Sequence, residues 1–265
     1  MREKERERER ESEEIKKKYY PKFNLLNLLG SKNIKLLVKI INIFFYGRFD
    51  SYLNNVKGVI HIGASDGYER NMYKKYKVCK VVWIEADPNI FVDLQKNIKT
   101  FKNQEAYNYL LTDVDNKKYK FNITKDNGQS SSILNMKKLY LKMYPSAKIK
   151  KKIILKSSTF ETFIKKKFIK LNYYNALTID TQGSELLILK GMKNLINKFD
   201  IIKVEASEFR IYENYPILNE LTYFMNNKNF REIRRIETDE DFFGRKTYDI
   251  LFIKNKTKYK KYYNM

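Results

Sequence analysis

The fold of this 265-residue chain is decided by residues 59–69, VIHIGASDGYE, and by residues 81–88, VVWIEADP. The first stretch is an apolar run that breaks into a Gly-x-x-x-Gly turn, which predicts a strand, a tight loop and the start of a helix. The second is an apolar run that ends in Glu85, which lies 22 residues after Gly63. An acidic group roughly 20 residues beyond such a loop binds ribose hydroxyls at the tip of the second strand. The two stretches therefore predict a nucleoside pocket.

The glycine pattern narrows the identity of the nucleoside. A nicotinamide or flavin site needs a G-x-G-x-x-G loop, and Ser65 and Tyr68 stand where that loop has its second and third glycines. The sequence has no G-x-x-x-x-G-K-S/T phosphate loop either. The shorter glycine pair followed by Glu85 suits S-adenosylmethionine. This molecule carries no phosphates, so it needs fewer glycine positions at which the backbone can approach the ligand. A plain strand–turn–helix unit with Asp66 capping the helix is the alternative.

Three further motifs follow in order: NGQSSSIL at residues 127–134, IDTQGSELLILKG at 179–191 and VEA at 204–206. Together with GASDG and WIEADP, they resemble the FkbM-type methyltransferase family over about residues 56–254. The resemblance implies an enzyme that uses S-adenosylmethionine, mostly to methylate hydroxyls of sugars and secondary metabolites. One position departs from the family pattern. The family usually has Asp where His61 stands, and that Asp helps to order the loop and to reach the methionine amino group.

Length and composition predict one globular domain with appendages, since 43% of the residues are hydrophobic and 15% are aromatic. Cys79 is the single cysteine. It excludes an internal disulfide framework and is compatible with a reducing compartment, so we expect a cytoplasmic protein. A zinc site of the usual His/Cys kind needs more ligands than the one His and one Cys that the sequence contains. No metal is therefore predicted.

The net charge of +23 raises the question of a nucleic-acid partner. Such a charge attracts phosphates and anionic lipids through long-range electrostatics. Reading of bases would favour clustered Arg and stacking aromatics, whereas Lys supplies 43 of the 54 basic residues and Arg only 11. The composition thus predicts weak contact with polyanions and no specific nucleic-acid site. The expected partner is a small-molecule or glycan acceptor.

The termini differ in composition from the middle of the chain. Residues 1–22 are mostly charged and predict a disordered or frayed helical tail. Residues 23–50 predict amphipathic helices that pack on the catalytic domain, with peripheral membrane contact through 23–46 as the alternative. No uncharged apolar run there reaches the 18 residues that a membrane span needs. Residues 51–254 form the predicted methyltransferase domain, and 255–265 a basic tail.

Hydrophobic periodicity predicts alternating strands and helices along the domain. Strands are predicted at 56–62, 80–85, 104–111, 117–124, 175–180, 200–205, 230–237 and 246–253, and helices at 67–77, 88–100, 184–198 and 215–228. This order predicts an α/β fold with a doubly wound, Rossmann-like sheet of the class I methyltransferase type, mostly parallel with a final antiparallel hairpin. Ligands bind at the carboxyl ends of such strands, which here carry Gly63, Glu85, Asp113, Asp180 and Glu205. The predicted cofactor-binding residues are Gly63, Ala64, Ser65, Gly67, Glu85, Ala86 and Asp113.

Methyl transfer to a hydroxyl requires a group that takes the hydroxyl proton. Asp180 is the first candidate because it ends the fourth parallel strand, although it could instead cap the following helix. Glu205 and His61 are the other candidates for catalysis; a rim ion pair and a packing role are their alternatives. Ser130 and Ser131, in a predicted loop over the pocket, and Gln182 and Glu185 are predicted to bind the acceptor, although Glu185 could equally belong to a capping box.

Three functional classes follow from the sequence. The first is an O-methyltransferase that acts on a glycan or a small metabolite. The second is an RNA-directed methyltransferase that uses the basic surface. The third is a catalytically silent module in which His61 has spoiled cofactor binding.

Overall fold

The structure is a computed structural model that describes residues 49–241 and 243–255. The chain divides into the units Met1–Ser51 and Tyr52–Met265, and the elements from the first strand onwards belong to the second unit. The predicted tail at 1–22, the predicted helices at 23–50 up to residue 48, and the predicted basic tail from 256 onwards lie outside the described residues. In the part of the chain that the structure describes, none of the helices is long and apolar enough to cross a membrane.

Strands and helices alternate along the domain. The strands are β1 (Gly58–Ile62), β2 (Lys80–Glu85), β3 (Gln104–Asn108), β4 (Leu110–Thr112), β5 (Lys118–Thr124), β6 (Ile149–Thr159), β7 (Ala176–Ile179), β8 (Ile201–Ser207), β9 (Phe230–Glu240) and β10 (Lys246–Lys254). The α-helices are α1 (Arg70–Lys75), α2 (Pro88–Ile98), α3 (Lys138–Met143), α4 (Phe160–Lys166), α5 (Glu185–Gly191) and α6 (Leu218–Asn227). Short 3-10 helices cover Asp50–Asn55, Pro145–Ala147, Leu171–Tyr173 and Lys193–Lys198.

Seven strands form the main sheet, in the order β3-β2-β1-β7-β8-β10-β9. The first five of these strands are parallel to one another. Strand β10 runs antiparallel to both β8 and β9. The predicted doubly wound sheet with a final antiparallel hairpin is thereby confirmed. From β1 the following strands are added towards β3, and from β7 they are added in the opposite direction, towards β9. The carboxyl ends of β1 and β7 therefore form the switch point at which such folds bind ligands.

The centre of the sheet is buried on both faces. Every residue of β1 and of β7 is buried, which explains why their sequences read as continuous apolar runs rather than as alternating patterns. The aromatic side chains of Phe160, Phe163 and Phe199 are fully buried in the same core. A rigid sheet therefore supports the loops that leave the strand ends.

The third predicted strand, at 104–111, is divided in the structure. Strand β3 ends at Asn108 beside Glu85 of β2. Strand β4 then leaves the main sheet and pairs with β6, which also pairs with β5 to form a second, three-stranded sheet. Asn127 and Gly128, the first two residues of the NGQSSSIL motif, form a turn in which both have positive φ, 56° and 80°.

Two predicted helices are shorter than expected. The helix predicted at 67–77 begins only at Arg70, because the turn from Gly63 to Gly67 extends the loop. The helix predicted at 184–198 ends at Gly191 and is followed by the 3-10 helix Lys193–Lys198. Lys193 has a φ of 51°, a left-handed conformation that a continuous α-helix does not accommodate.

Candidate active site

The loop after β1 brings the ends of three strands together. Gly63 and Ala64 donate their backbone N–H groups to the carbonyl of Ile84, at 2.9 and 3.1 Å. Gly63 has a φ of 77°, and a Cβ there would lie 1.7 Å from the carbonyl oxygen of Asp180. Only glycine allows this approach. Gly63 is a predicted cofactor-binding residue, and the structure shows that the protein's own backbone already requires glycine at this position.

Glu85 ends β2 as a buried carboxylate that holds two loops. Its Oε2 accepts a hydrogen bond from the Ser65 N–H at 2.8 Å, and its Oε1 accepts one from the Asp87 N–H at 2.8 Å. Burial raises the pKa of Glu85 to about 7, although these backbone bonds act in the opposite direction. Each carboxylate oxygen has a second lone pair. Glu85 can therefore still accept hydrogen bonds from the hydroxyls of a ligand.

A cavity of about 900 Å³ opens at the switch point, within the roughly 300–1,000 Å³ that small-molecule sites occupy. It lies where the ends of β1, β2 and β7 meet the loop that contains Asn127 and Gly128. The predicted site residues that line it are Gly63, Ser65, Glu85, Ala86, Ser131, Asp180 and Gln182.

Three predicted cofactor residues are placed elsewhere. Ala64 is buried and contributes only its backbone to the loop. Gly67 lies against α2, where a Cβ would be 2.6 Å from Leu94 Cδ1, so its small size serves helix packing. Asp113 is exposed beyond β4 and does not line the cavity. The structure therefore does not bring Asp113 to the predicted cofactor site: β3 ends at Asn108, and Tyr109 is the residue that lines the cavity directly after that strand.

Asp180 and Glu205 are joined through Gln182. The Gln182 Nε2 donates to Asp180 Oδ1 at 2.9 Å and to Glu205 Oε2 at 3.1 Å, and its Oε1 accepts from the Tyr212 hydroxyl at 3.0 Å. Burial raises the pKa of both carboxyls, and the charge of Asp180 raises that of Glu205 further. Asp180 lines the cavity and Glu205 does not. Of the two, Asp180 is the carboxylate that a bound molecule can contact, and Glu205 acts behind it.

The structure gives three of the predicted acceptor-binding residues a role within the protein. Both N–H donors of Gln182 are already used. Glu185 is buried, and its Oε1 accepts from the backbone N–H groups of Thr181 at 2.9 Å and Gly183 at 3.1 Å. The Ser130 hydroxyl donates to Asp126 at 2.7 Å. Glu185 and Ser130 do not line the cavity, so they stabilise the turns that shape it.

His61 lies behind the cavity wall. It is buried and stacks on Trp83, with 5.1 Å between the ring centroids, and its Nδ1 is 3.0 Å from the Tyr73 hydroxyl. Burial, with the nearby charge of Lys203, lowers the pKa of His61 to about 3. A buried imidazole that binds a proton weakly and does not line the cavity is poorly placed to act as a general base. The structure therefore places the predicted catalytic residue His61 away from the cavity, in contacts that fit its alternative, a packing role.

The sequence analysis did not assign Glu69, Tyr68 and Tyr109, although all three line the cavity. Tyr68 and Glu69 directly follow the glycine loop and precede the first helix, and this position in the sequence could have indicated that they lie at the ligand site. Tyr109 could not be found in the same way, since the end of β3 is not marked in the sequence.

The cavity wall is acidic although the whole chain is strongly basic. Its charged lining residues are Asp66, Glu69, Glu85, Asp93, Asp180 and one lysine, Lys96. Such a wall opposes a pyrophosphate and favours a cation. S-adenosylmethionine has a sulfonium, an ammonium and two ribose hydroxyls, and the lining fits these groups. In the described part of the chain, no group of three or more His, Cys, Asp or Glu side chains is arranged to hold a metal ion.

Three solved structures of methyltransferases are similar to this chain at low sequence identity. M. capricolum TrmK in complex with S-adenosyl-homocysteine is 16% identical, with a TM-score of 0.47 over 80% of this chain and 69% of that one. Magnesium protoporphyrin IX methyltransferase from Synechocystis is 7% identical, with a TM-score of 0.45 over 82% and 78%. The B. subtilis tRNA methyltransferase TrmK is 11% identical, with a TM-score of 0.42 over 77% and 63%. These likenesses concern the fold alone.

The family assignment rests on the sequence match. No curated protein matches the chain significantly. The family model described as the methyltransferase FkbM domain matches residues 61–232, which extend from β1 to β9 and include every wall of the cavity. This match confirms the predicted resemblance to the FkbM-type methyltransferases and, with it, S-adenosylmethionine as the cofactor. The chain belongs to the FkbM family of methyltransferases.

Proposed function

We propose that the protein transfers the methyl group of S-adenosylmethionine to a hydroxyl group of a sugar or of another small metabolite. The observation that carries this proposal is Asp180, a carboxylate at the switch point that lines the cavity and whose pKa burial raises. A carboxyl with a raised pKa is a stronger base than an ordinary aspartate once it is ionised. A hydroxyl acceptor needs such a base, because its proton must leave as the oxygen attacks.

Different residues of the chain have different roles in the proposed reaction. S-adenosylmethionine, when bound, supplies a methyl group on a sulfonium, which leaves as a neutral thioether. Glu85 accepts the ribose hydroxyls, and the acidic wall compensates the positive charge. Asp180 takes the proton of the acceptor hydroxyl while the oxygen forms its bond to the methyl carbon. Gln182 holds the Asp180 carboxylate in place and links it to Glu205, so orientation rather than further chemistry is their contribution.

Burial of the carboxylate pair also affects which of the two is ionised. Two neighbouring carboxylates in a low-dielectric site share a proton over part of the pH range. Burial raises the pKa of both carboxyls, and the charge of Asp180 adds to the rise for Glu205. In the proposed mechanism the shared proton resides on Glu205, away from the cavity, and Asp180 on the cavity side is the base.

An RNA acceptor is the second candidate, and one surface feature favours it. Lys150, Lys151 and Lys152 are exposed in succession on β6. Such a run attracts a phosphate backbone. The acidic wall of the cavity acts against this candidate, since a polyanion would have to place its reacting group beside several carboxylates.

The experiment that tests the proposal follows a labelled methyl group. The full chain is incubated with methyl-labelled S-adenosylmethionine and, separately, with glycan, small-metabolite and RNA fractions of a cell extract. We expect label in the glycan or metabolite fraction, in a linkage that resists mild alkali as an ether does, and none with Asp180→Asn. Label in RNA alone would select the second candidate. Normal cofactor binding without transfer to any fraction would show a silent module.

A further inference from the structure

Glu69 is a buried carboxylate that interacts with the neighbouring Tyr68 hydroxyl but has one oxygen without a hydrogen-bond partner in the described part of the chain. It follows the loop after β1 and precedes α1, and only 10% of its side chain is exposed. Its Oε1 is 3.8 Å from His61 Nε2, while its Oε2 is buried and has no hydrogen-bond partner among the residues that the structure describes. An unfilled buried carboxylate oxygen costs stability, and such groups cluster at sites where a ligand completes them.

The cations near Glu69 do not fill this oxygen. His61 is neutral at physiological pH because its pKa is lowered to about 3. Lys203 lowers the pKa of Glu69 through its charge, but its Nζ lies 2.8 Å from Asp249 Oδ2 and is bound there. Burial is the stronger influence on Glu69 and raises its pKa to about 7. A positive group from outside the protein would both fill Oε2 and favour the ionised carboxylate.

The position of Glu69 indicates which part of the cofactor could supply that group. Strand β1 lies between β2 and β7 in the sheet. Glu85 lines the β2 side of the cavity, where the proposed function puts the ribose, and Asp180 lines the β7 side, where it puts methyl transfer. Glu69 lines the same cavity from the loop after β1, between these two sides. The methionine portion of the cofactor would then extend past Glu69, and besides the sulfonium this portion has one cation, its ammonium.

We propose that Glu69 binds the α-ammonium group of the methionine portion of S-adenosylmethionine through its Oε2. The proposal rests on the proposed function and adds a specificity determinant to it. The contact is a charge-assisted hydrogen bond in a largely water-free site, the strong kind. It distinguishes the complete cofactor from adenine nucleosides that lack the amino-acid portion, so Glu69 selects against such fragments.

Two ligands test this contact by calorimetry. S-adenosylhomocysteine has the ammonium, and 5′-methylthioadenosine has the same nucleoside and thioether without the amino-acid portion. In Glu69→Gln, which keeps the shape and removes the charge, we expect S-adenosylhomocysteine to bind about 10-fold or more weakly. Binding of 5′-methylthioadenosine should change by less than about twofold. Glu105→Gln, an exposed glutamate on β3 that does not line the cavity, is the matched control and should leave both affinities unchanged.

The outcomes separate this proposal from the proposed function. Unchanged binding of S-adenosylhomocysteine in Glu69→Gln overturns the role of Glu69 while leaving the cofactor assignment intact. An equal loss for both ligands also overturns it, because the substitution would then act on the whole pocket. No binding of S-adenosylhomocysteine by the unmodified protein overturns both. Thermal unfolding without ligand checks the variant itself, and its Tm should not fall, since an unpaired buried charge has been removed.

Discussion

Replacing Glu85 by Ala tests the cofactor site through the buried carboxylate that ends β2. The substitution removes the proposed acceptor of the ribose hydroxyls, which is also the observed acceptor of the backbone N–H groups of Ser65 and Asp87. Hydrogen bonds from ribose hydroxyls to a charged acceptor contribute about 1–3 kcal/mol. We therefore expect S-adenosylhomocysteine to bind roughly 5- to 150-fold more weakly.

The stability of the Glu85→Ala variant decides whether that loss can be read as a binding effect. Two orphaned buried donors cost about 1–3 kcal/mol each. In the other direction, burial raises the pKa of Glu85 from 4.5 to about 7. The ionised group therefore lowers the stability of the native protein as pH rises through this range, by about 3 kcal/mol at pH 7 and above. Removing it relieves that cost. The two effects largely offset each other, so the variant should remain folded at pH 8.

The pH dependence of binding gives the Glu85 prediction a second readout. The carboxyl ionises as pH rises through about 7, and the ionised form accepts two hydroxyls better than the neutral form. Binding of 5′-methylthioadenosine should strengthen from pH 6 to pH 8 in the unmodified protein and lose this dependence in Glu85→Ala. This ligand lacks the ammonium, so the titration of Glu69 interferes least. Calorimetry measures both effects. Equal affinities and equal pH profiles in the two proteins would refute the assignment of Glu85.

Three further predictions concern catalysis, protonation and the acceptor. Asp180→Asn keeps an oxygen for Gln182 but removes the proposed base, so turnover in the label-transfer assay should fall about 10²-fold or more with cofactor affinity little changed. Near-normal turnover would redirect the search for a base to Glu205. His61 is the single histidine, so its ring can be followed by NMR. The ring should stay neutral between pH 7.5 and pH 5 in the native protein, while the histidine of the urea-unfolded chain titrates near 6.5. A titration midpoint above pH 5 in the native protein would contradict the buried neutral ring. Substituting Gln for the three lysines at 150–152 should leave transfer to a glycan or metabolite unchanged; a loss of RNA affinity with a shallower salt dependence would favour the second candidate.

The neutral state of His61 also affects stability. Its folded pKa of about 3 lies below the ordinary 6.5, so the stability that it supports is fully present above pH 6.5 and is lost as pH falls towards 3. Glu69 and Glu85 act in the opposite direction, because their raised pKa values favour the native state at low pH. Between pH 4.5 and 6.5 these contributions partly cancel.

The sequence by itself determined the fold and the ends of the strands that form the site. Apolar runs, the glycine turn at Gly63 and the acid at Glu85 are local signals, and each specifies a strand, a loop or a strand end without information from distant residues. The alternation of these signals predicted the parallel sheet and its final hairpin. The motif that begins at Asp180 identified the family before any coordinate was known.

Only the tertiary structure decided which of these residues reach the cavity. Asp113 lost its predicted role because β4 pairs with β6 in another sheet, and Glu205 lost direct contact because Gln182 stands between it and the cavity. His61 is neutral because Trp83 and Tyr73 enclose its ring. Strand pairing, enclosure and desolvation depend on residues far apart in the chain, so no local pattern records them. For the same reason the unpaired oxygen of Glu69 became visible only when all its neighbours were in place.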